Sequence, residues 1–324
     1  MSRTPTASSF PTTPLTRLTP HTAPVHALAF SSGSGQYLLT GSQDRSIRLF
    51  NPTSSKLIQT YSAHGYGVLD LAVSTDNSCF ASAGGDKVVF IWDVASAATV
   101  RRFQGHAGRV NAVRFAGEGD AVVVSGSFDG TARCWDLRAR GERAVMVWGE
   151  ARDSVSAVAV AGERVWAGSV DGRVRCYDLR AGEVEVDCLG ASVTSLGVTG
   201  AGDGYLVSTL DSKVRLMDCG SGACLQKFGG EGFVNEEFRV RSTLGMGDAV
   251  AISGGENGRV FVWDVLSGEV MHRLSHKRDG EAEGAVSGNS GKRDVVSAVA
   301  WNQTRKMWAS AGGDGEVVVW GKGD

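Results

Sequence analysis

Net charge, proline and long apolar runs are what this 324-residue chain has least of. Its formal charge is −2 and its isoelectric point about 6.3, so it has no long-range attraction for nucleic acid or anionic lipid. Apolar runs are strand-sized, and nothing reads as a membrane span or a signal peptide. Only 6 prolines stand against 44 glycines, which suits many tight strand turns and not a disordered chain. The cysteines (Cys79, Cys134, Cys176, Cys188, Cys219 and Cys224) contain no C-x-x-C pair. They read as free thiols packed in strands in a reducing compartment, with the cytoplasm as the expected location and the nucleus as a second. A Walker-type phosphate loop and a G-x-S-x-G elbow are both missing, so no cofactor is expected.

What the chain does have is one phrase, repeated seven times. A small-residue run leads to an acidic or amide turn residue, and an aromatic or bulky residue follows six positions later. The pairs are Asp44/Phe50, Asp86/Trp92, Asp129/Trp135, Asp171/Tyr177, Asp211/Met217, Asn257/Trp263 and Asp314/Trp320. Their intervals are 42, 43, 42, 40, 46 and 57 residues. A period near 42 predicts one four-stranded sheet per repeat, hence an all-β, seven-bladed β-propeller in one domain. Length alone suggests two domains, but stacked repeats extend a single core.

Residues 1–14 are rich in Ser, Thr and Pro and read as a disordered tail, leaving 15–324 for the propeller. The chain ends four residues after Trp320, so blade seven lacks its outer strand. Leu15 to Thr19 have the right length to supply it and to close the ring. The 57-residue interval holds His276–Asp294, glycine-rich and charged, expected as a flexible loop at a blade junction.

The dipeptides Trp92-Asp93, Trp135-Asp136 and Trp263-Asp264 resemble those of WD-repeat proteins. A narrower resemblance covers almost the whole chain. It rests on His64-Gly65-Tyr66-Gly67-Val68-Leu69-Asp70, Gly84-Gly85-Asp86-Lys87, Ile91-Trp92-Asp93-Val94-Ala95-Ser96 and Gly105-His106-Ala107-Gly108-Arg109-Val110-Asn111. Glu150-Ala151-Arg152-Asp153, Gly168 to Arg175, and Ser208 with Leu210-Asp211-Ser212 complete it. These stretches are similar to the organizer-type scaffolds of mitogen-activated protein (MAP) kinase cascades, from which the last repeat and the glycine-rich loop depart. The resemblance implies a non-catalytic scaffold, association with spliceosomal complexes, and a prolyl hydroxylase of oxygen sensing among its partners.

The resemblance also implies a hydrogen-bonded His, Ser/Thr, Asp, Trp set in a blade. Full sets are His64, Ser82, Asp86, Trp92 and His106, Ser125, Asp129, Trp135; repeat one has His21, Thr40 and Asp44 but Phe50. A Ser-His-Asp catalytic triad is the competing reading, disfavoured because the trio recurs repeat by repeat. His272 and His276 have metal-ligand spacing without a third ligand, so no metal is expected. The endings Trp135-Asp136-Leu137-Arg138 and Tyr177-Asp178-Leu179-Arg180 resemble the motif by which substrate receptors of cullin-type ubiquitin ligases bind their adaptor. The plainer reading of Arg138 and Arg180 is two exposed strand-exit residues. Thr4, Thr13 and Thr19 each precede proline and match minimal sites of proline-directed kinases.

Partner binding is expected on one face of the ring, from residues beside the inner-strand valines and before each turn Asp. Phe128, Val170 and Leu210 form an apolar trio on successive blades, with Arg109 and Arg152 nearby. Asn111, Arg239 and Arg241 flank inner-strand valines and belong to the same set. The expected partners are proteins, with no direct nucleic acid or membrane contact, and the chain is expected to be monomeric.

Overall fold

In a computed structural model, which describes residues 10–19, 21–277 and 294–322, the chain is an all-β, seven-bladed propeller. Each of the seven sheets has four antiparallel strands. Blade three shows the plan with Val110–Ala116, Val122–Ser127, Ala132–Asp136 and Met146–Trp148. Its inner three strands are valine-rich and mostly buried, because neighbouring blades pack on both faces. Outer strands alternate instead: Thr99–Gln104 of blade two exposes every second residue from Val100.

The small-residue runs have a packing cause. A Cβ on Gly126 would lie 2.6 Å from Val155 Cγ1, and one on Gly168 would lie 2.5 Å from Val193 Cγ1. Each glycine gives the next blade's inner valine its seat. The residue after each turn Asp or Asn is left-handed in all seven blades: Gly130, Gly172, Gly258 and Gly315, but also Arg45, Lys87 and Ser212.

Blade seven comprises Val296–Asn302, Met307–Gly312 and Val317–Gly321, and the ring closes when Thr13–Leu18 pairs antiparallel with the last of these. The expected tail is therefore too long at its C-terminal end. Thr13 and Pro14 belong to the closing strand, and Phe10 and Pro11 are buried before it. Phe10 is 4% exposed and stacks on His272 and Trp301, while Trp308 Nε1 donates to the Pro11 carbonyl at 2.8 Å. Residues 1–9, with Thr4, lie outside the described residues, as do residues 278–293 of the expected loop. Its first residue, His276, sits in the bend after the Val270–Ser275 strand, with its side chain buried against Ser310 of blade seven.

Candidate interaction site at the channel mouth

The turn residues meet their histidines as hydrogen-bonded chains. In blade three, Trp135 Nε1 donates to Ser125 Oγ at 2.8 Å, and Ser125 Oγ lies 2.8 Å from His106 Nε2. His106 Nδ1 lies 3.0 Å from Asp129. Blade two repeats this with Trp92, Ser82, His64 and Asp86; blade one has His21 between Thr40 and Asp44. Burial lowers the pKa of His106, with Asp129 opposing. A neutral ring that donates from Nδ1 and accepts at Nε2 satisfies every member. Burial works against the Asp129 carboxylate, yet bonds from Thr131 and His106 outweigh it and hold the pKa well below the usual range. Ser125 is fully buried and its oxygen already serves Trp135 and His106, so no substrate carbonyl reaches it.

Sequence reasoning missed three variants of this set. In blade seven, His276 Nδ1 lies 2.9 Å from Ser310 Oγ, which accepts from Trp320 Nε1. The His-to-Asp interval is 22 or 23 residues in blades one to three but 38 here, so the insertion hid it. In blades four and five an arginine replaces the histidine. Arg175 pairs with Asp171 at 2.7 Å and Arg215 with Asp211 at 2.5 Å, both four residues after the turn Asp. That spacing was readable in the sequence.

The channel mouth is shaped by bulges. In six blades the pairing of the two innermost strands shifts after the first valine, as between Val25 and Ala27 or Val110 and Ala112. A bulge re-aims the extra side chain. His26, Leu69, Asn111 and Ser297, all at that position, line a cavity of about 540 Å³. In blade six the inner strand starts only at Ser242, and Arg241 takes the equivalent place after Val240.

Arg241 crosses the ring. Its Nη1 donates to Asp70 Oδ1 at 2.5 Å and its Nη2 to the Leu69 carbonyl at 2.7 Å. Arg239 Nη1 donates to the Asn111 carbonyl at 2.6 Å and its Nε to the Thr194 carbonyl at 3.3 Å. Asp70 is fully buried. Burial opposes its ionisation, but Arg114, Arg241 and Arg239 outweigh that and hold it at about 2. Burial pushes His26 down to about 4; its bond with Gln43 opposes, and Arg239 and Arg241 add. Two expected surface residues are thus corrected. Asn111 and Arg241 are buried: the bulge turns Asn111 inward to bond Ser154 and Val155, and Arg241, just before the short inner strand of blade six, reaches across to Asp70.

The apolar trio is unevenly presented. Phe128 is 55% exposed with the Arg109 guanidinium 4.9 Å over its ring, and Val170 is 37% exposed. Leu210 is half-buried, not open. Arg152 is exposed, and its N–H donates to Asp171. Arg138 and Arg180 project from successive blades with side chains 75% and 81% exposed, paired to Asp136 and Glu163 respectively. His272 stacks on Phe10 while His276 turns to Ser310, and no group of three metal-ligating side chains occurs among the described residues. All six cysteines are free; Cys134 and Cys176 are buried, but Cys188 and Cys224 are exposed, against the expectation of buried thiols throughout. Both stand in outer strands that are exposed over most of their length.

The repeat family described as WD domain, G-beta repeat matches residues 12–51, 55–93, 97–136 and 284–321. WD repeat domain-containing protein 83 of Homo sapiens is 44% identical over 296 residues, spanning 91% of this chain and 88% of that protein. The protein of the same name from Mus musculus is 42% identical over 298 residues, with the same coverage of 91% and 88%. The Dictyostelium discoideum protein called WD repeat domain-containing protein 83 homolog is 28% identical over 332 residues, covering 94% of this chain and 96% of itself. With the propeller, its turn sets and these full-length similarities in view, the chain belongs to the WD-repeat family.

Proposed function

We propose that this chain is a non-catalytic scaffold that assembles signalling proteins, those of a MAP-kinase cascade, with spliceosomal proteins as a second set. One observation carries the reading. Phe128, a large aromatic, stands open under the Arg109 guanidinium, with Val170 and Arg152 exposed on the next blade, while the Ser-His pairs of blades two and three are buried and hydrogen-bonded. Exposed aromatics with arginine neighbours are the usual composition of binding hot spots. The similarity to organizer-type scaffolds supports the choice of partner class. A rigid ring holding two kinases raises their effective concentration and needs no chemistry of its own. In this reading the chain is monomeric, works in the cytoplasm and also in the nucleus, and touches neither nucleic acid nor membrane directly.

Affinity purification with mass spectrometry, repeated after RNase, tests this. MAP-kinase components that survive RNase support it; recovery of no stable protein partner overturns it. Replacing Phe128, Val170 and Leu210 by Ser, Thr and Ser weakens such a partner by several kcal/mol while melting changes little. A second reading, a cullin-type ligase receptor, draws on the exposure of Arg138 and Arg180 on adjacent blades. Its mark is adaptor binding that disappears in Arg138→Ala/Arg180→Ala.

A further inference from the structure

The channel mouth gathers more positive charge than it neutralises. Asp70 has both oxygens engaged: Oδ1 by Arg241 and the Leu71 N–H, Oδ2 by Arg114 and the Val113 N–H. Arg239 meets only neutral carbonyls, of Thr194 and Asn111, and its Nη2 has no acceptor among the described residues. Arg109, exposed at the rim, covers Phe128 and has no carboxylate partner among the described residues. No Asp or Glu lines the cavity among the described residues. Burial first, and then Arg241, lower Arg239 to about 9, so its charge is poorly accommodated by the protein alone.

We propose that this cavity receives a carboxylate side chain presented by an acidic segment of a protein partner. The proposal rests on the scaffold reading and names its chemistry. Two guanidiniums, Arg239 deep and Arg109 at the rim, supply the counter-charge, and Arg239 keeps one donor edge for a carboxylate oxygen. The remaining wall is uncharged, mixing apolar Leu69, Phe238 and Val295 with polar His26, Gln43, Asn111 and Ser297, and the volume of about 540 Å³ exceeds a bare anion and admits a short stretch of peptide. Deep in the cavity a phosphate dianion asks for more free donors than the one edge that Arg239 keeps, since Arg114 and Arg241 are held by Asp70 and Arg109 stands at the rim. The reacting partner is thus an Asp or Glu flanked by apolar residues.

The test is fluorescence anisotropy of the full chain with a fluorescein-labelled octapeptide of alternating Glu and Leu. Its controls are a Gln/Leu twin and a phosphoserine/Leu twin. The Glu peptide is expected to bind, the Gln twin at least about tenfold more weakly, and binding is expected to fall steeply with salt. Arg109→Gln, an exposed change, weakens binding several-fold; Arg239→Lys, which keeps the charge and loses the fork, weakens it by about tenfold. If Arg239→Lys lowers the melting temperature, Arg109→Gln and the salt slope carry the test. Equal binding of the Glu and Gln peptides, or none at about 1 mM, overturns the proposal. So does tighter binding of the phosphoserine peptide, or displacement by inorganic phosphate at equal concentration. Partners recovered from cells without peptide binding refute this site alone; absence of partners refutes the scaffold reading.

Discussion

Phe10→Ala is the sharpest probe of ring closure. Phe10 is 4% exposed and sits in a cluster with Trp308, Trp320 and Val318 of blade seven and Val260 and Val262 of blade six. It also stacks on Trp301 and His272 from those two blades. Truncating a buried phenylalanine costs about 3–5 kcal/mol. Phe10 precedes the Thr13–Leu18 strand and is held in no ladder, so its site can close partly and the lower end, about 3 kcal/mol, applies. With an unfolding entropy of about 2 cal/mol/K per residue, this lowers the melting temperature of a chain of this length by about 4 °C. Nested truncations separate the causes. Removing residues 1–9 deletes none of the described contacts and leaves the melting curve in place. Removing 1–12 takes Phe10 and the Pro11 acceptor of Trp308. Removing 1–20 also strips the Thr13–Leu18 strand and exposes the edge of Val317–Gly321, adding aggregation to instability. Calorimetry of the four proteins decides. A melting point for Phe10→Ala within 1 °C of the parent, or equal curves for the 1–9 and 1–20 truncations, refutes the closure argument.

Asp129→Ala strands His106 and Thr131 and lowers stability by about 1–3 kcal/mol, read from urea midpoints; an unchanged midpoint counts against a bracing role. Acid weakens the fold through His26. Its folded value of about 4 lies below the ordinary 6.5, so the unfolded chain takes the proton first. That stability is full above pH 6.5 and is lost as pH falls towards 4, by at most about 3 kcal/mol. His21 and His106 act in the same direction, and the contribution of Asp70 goes between about pH 4 and 2. His26→Gln should flatten the pH 6.5–4 slope of the unfolding free energy; an unaltered slope removes His26 from the account. Thiol titration of the native protein should label Cys188 and Cys224 quickly. Cys134 and Cys176, which burial lifts to about 11 and 12, should react only on unfolding, and equal rates would show that the blades open readily.

The propeller was legible because its signal is local. Asp129 and Trp135 are six residues apart, and both the turn and the strand they mark form within one repeat. The inner valines were legible for the same reason. Phe10 was not, because a lone aromatic in a Ser/Thr/Pro-rich segment has no period to betray its burial. His276 was hidden by an insertion that moved it 38 residues from its Asp314. The burial of Arg241 had no sequence signal at all. Its partner Asp70 is 171 positions away, and the pair meets only when the ring is closed. Side chains at bulges were placed on the correct strands, but their exposure depends on what crosses the channel to meet them.

Blade six explains why something crosses. Its inner strand has four residues, against six or seven elsewhere, and no histidine set braces it among the described residues; Trp263 Nε1 donates to the Gly229 carbonyl instead. A short inner strand holds less of the ring's centre by pairing. The two arginines before it supply other ties, Arg241 to Asp70 and Leu69 in blade two, Arg239 to Asn111 in blade three and Thr194 in blade five. A buried ion pair is weak evidence for net stability, because desolvation offsets the attraction. Its geometry is more informative. Asp70 can satisfy Arg241 only if blades two and six keep their places across the channel, and Arg114 and the Val113 N–H fix Asp70 from blade three. The tie therefore acts on register more than on energy. It keeps the most irregular blade in line with the rim that carries Arg109 and Phe128. A scaffold gains effective concentration only while its docking points stay at fixed separation. The charge that braces the ring is, by the same geometry, the charge that leaves Arg239 facing an open cavity.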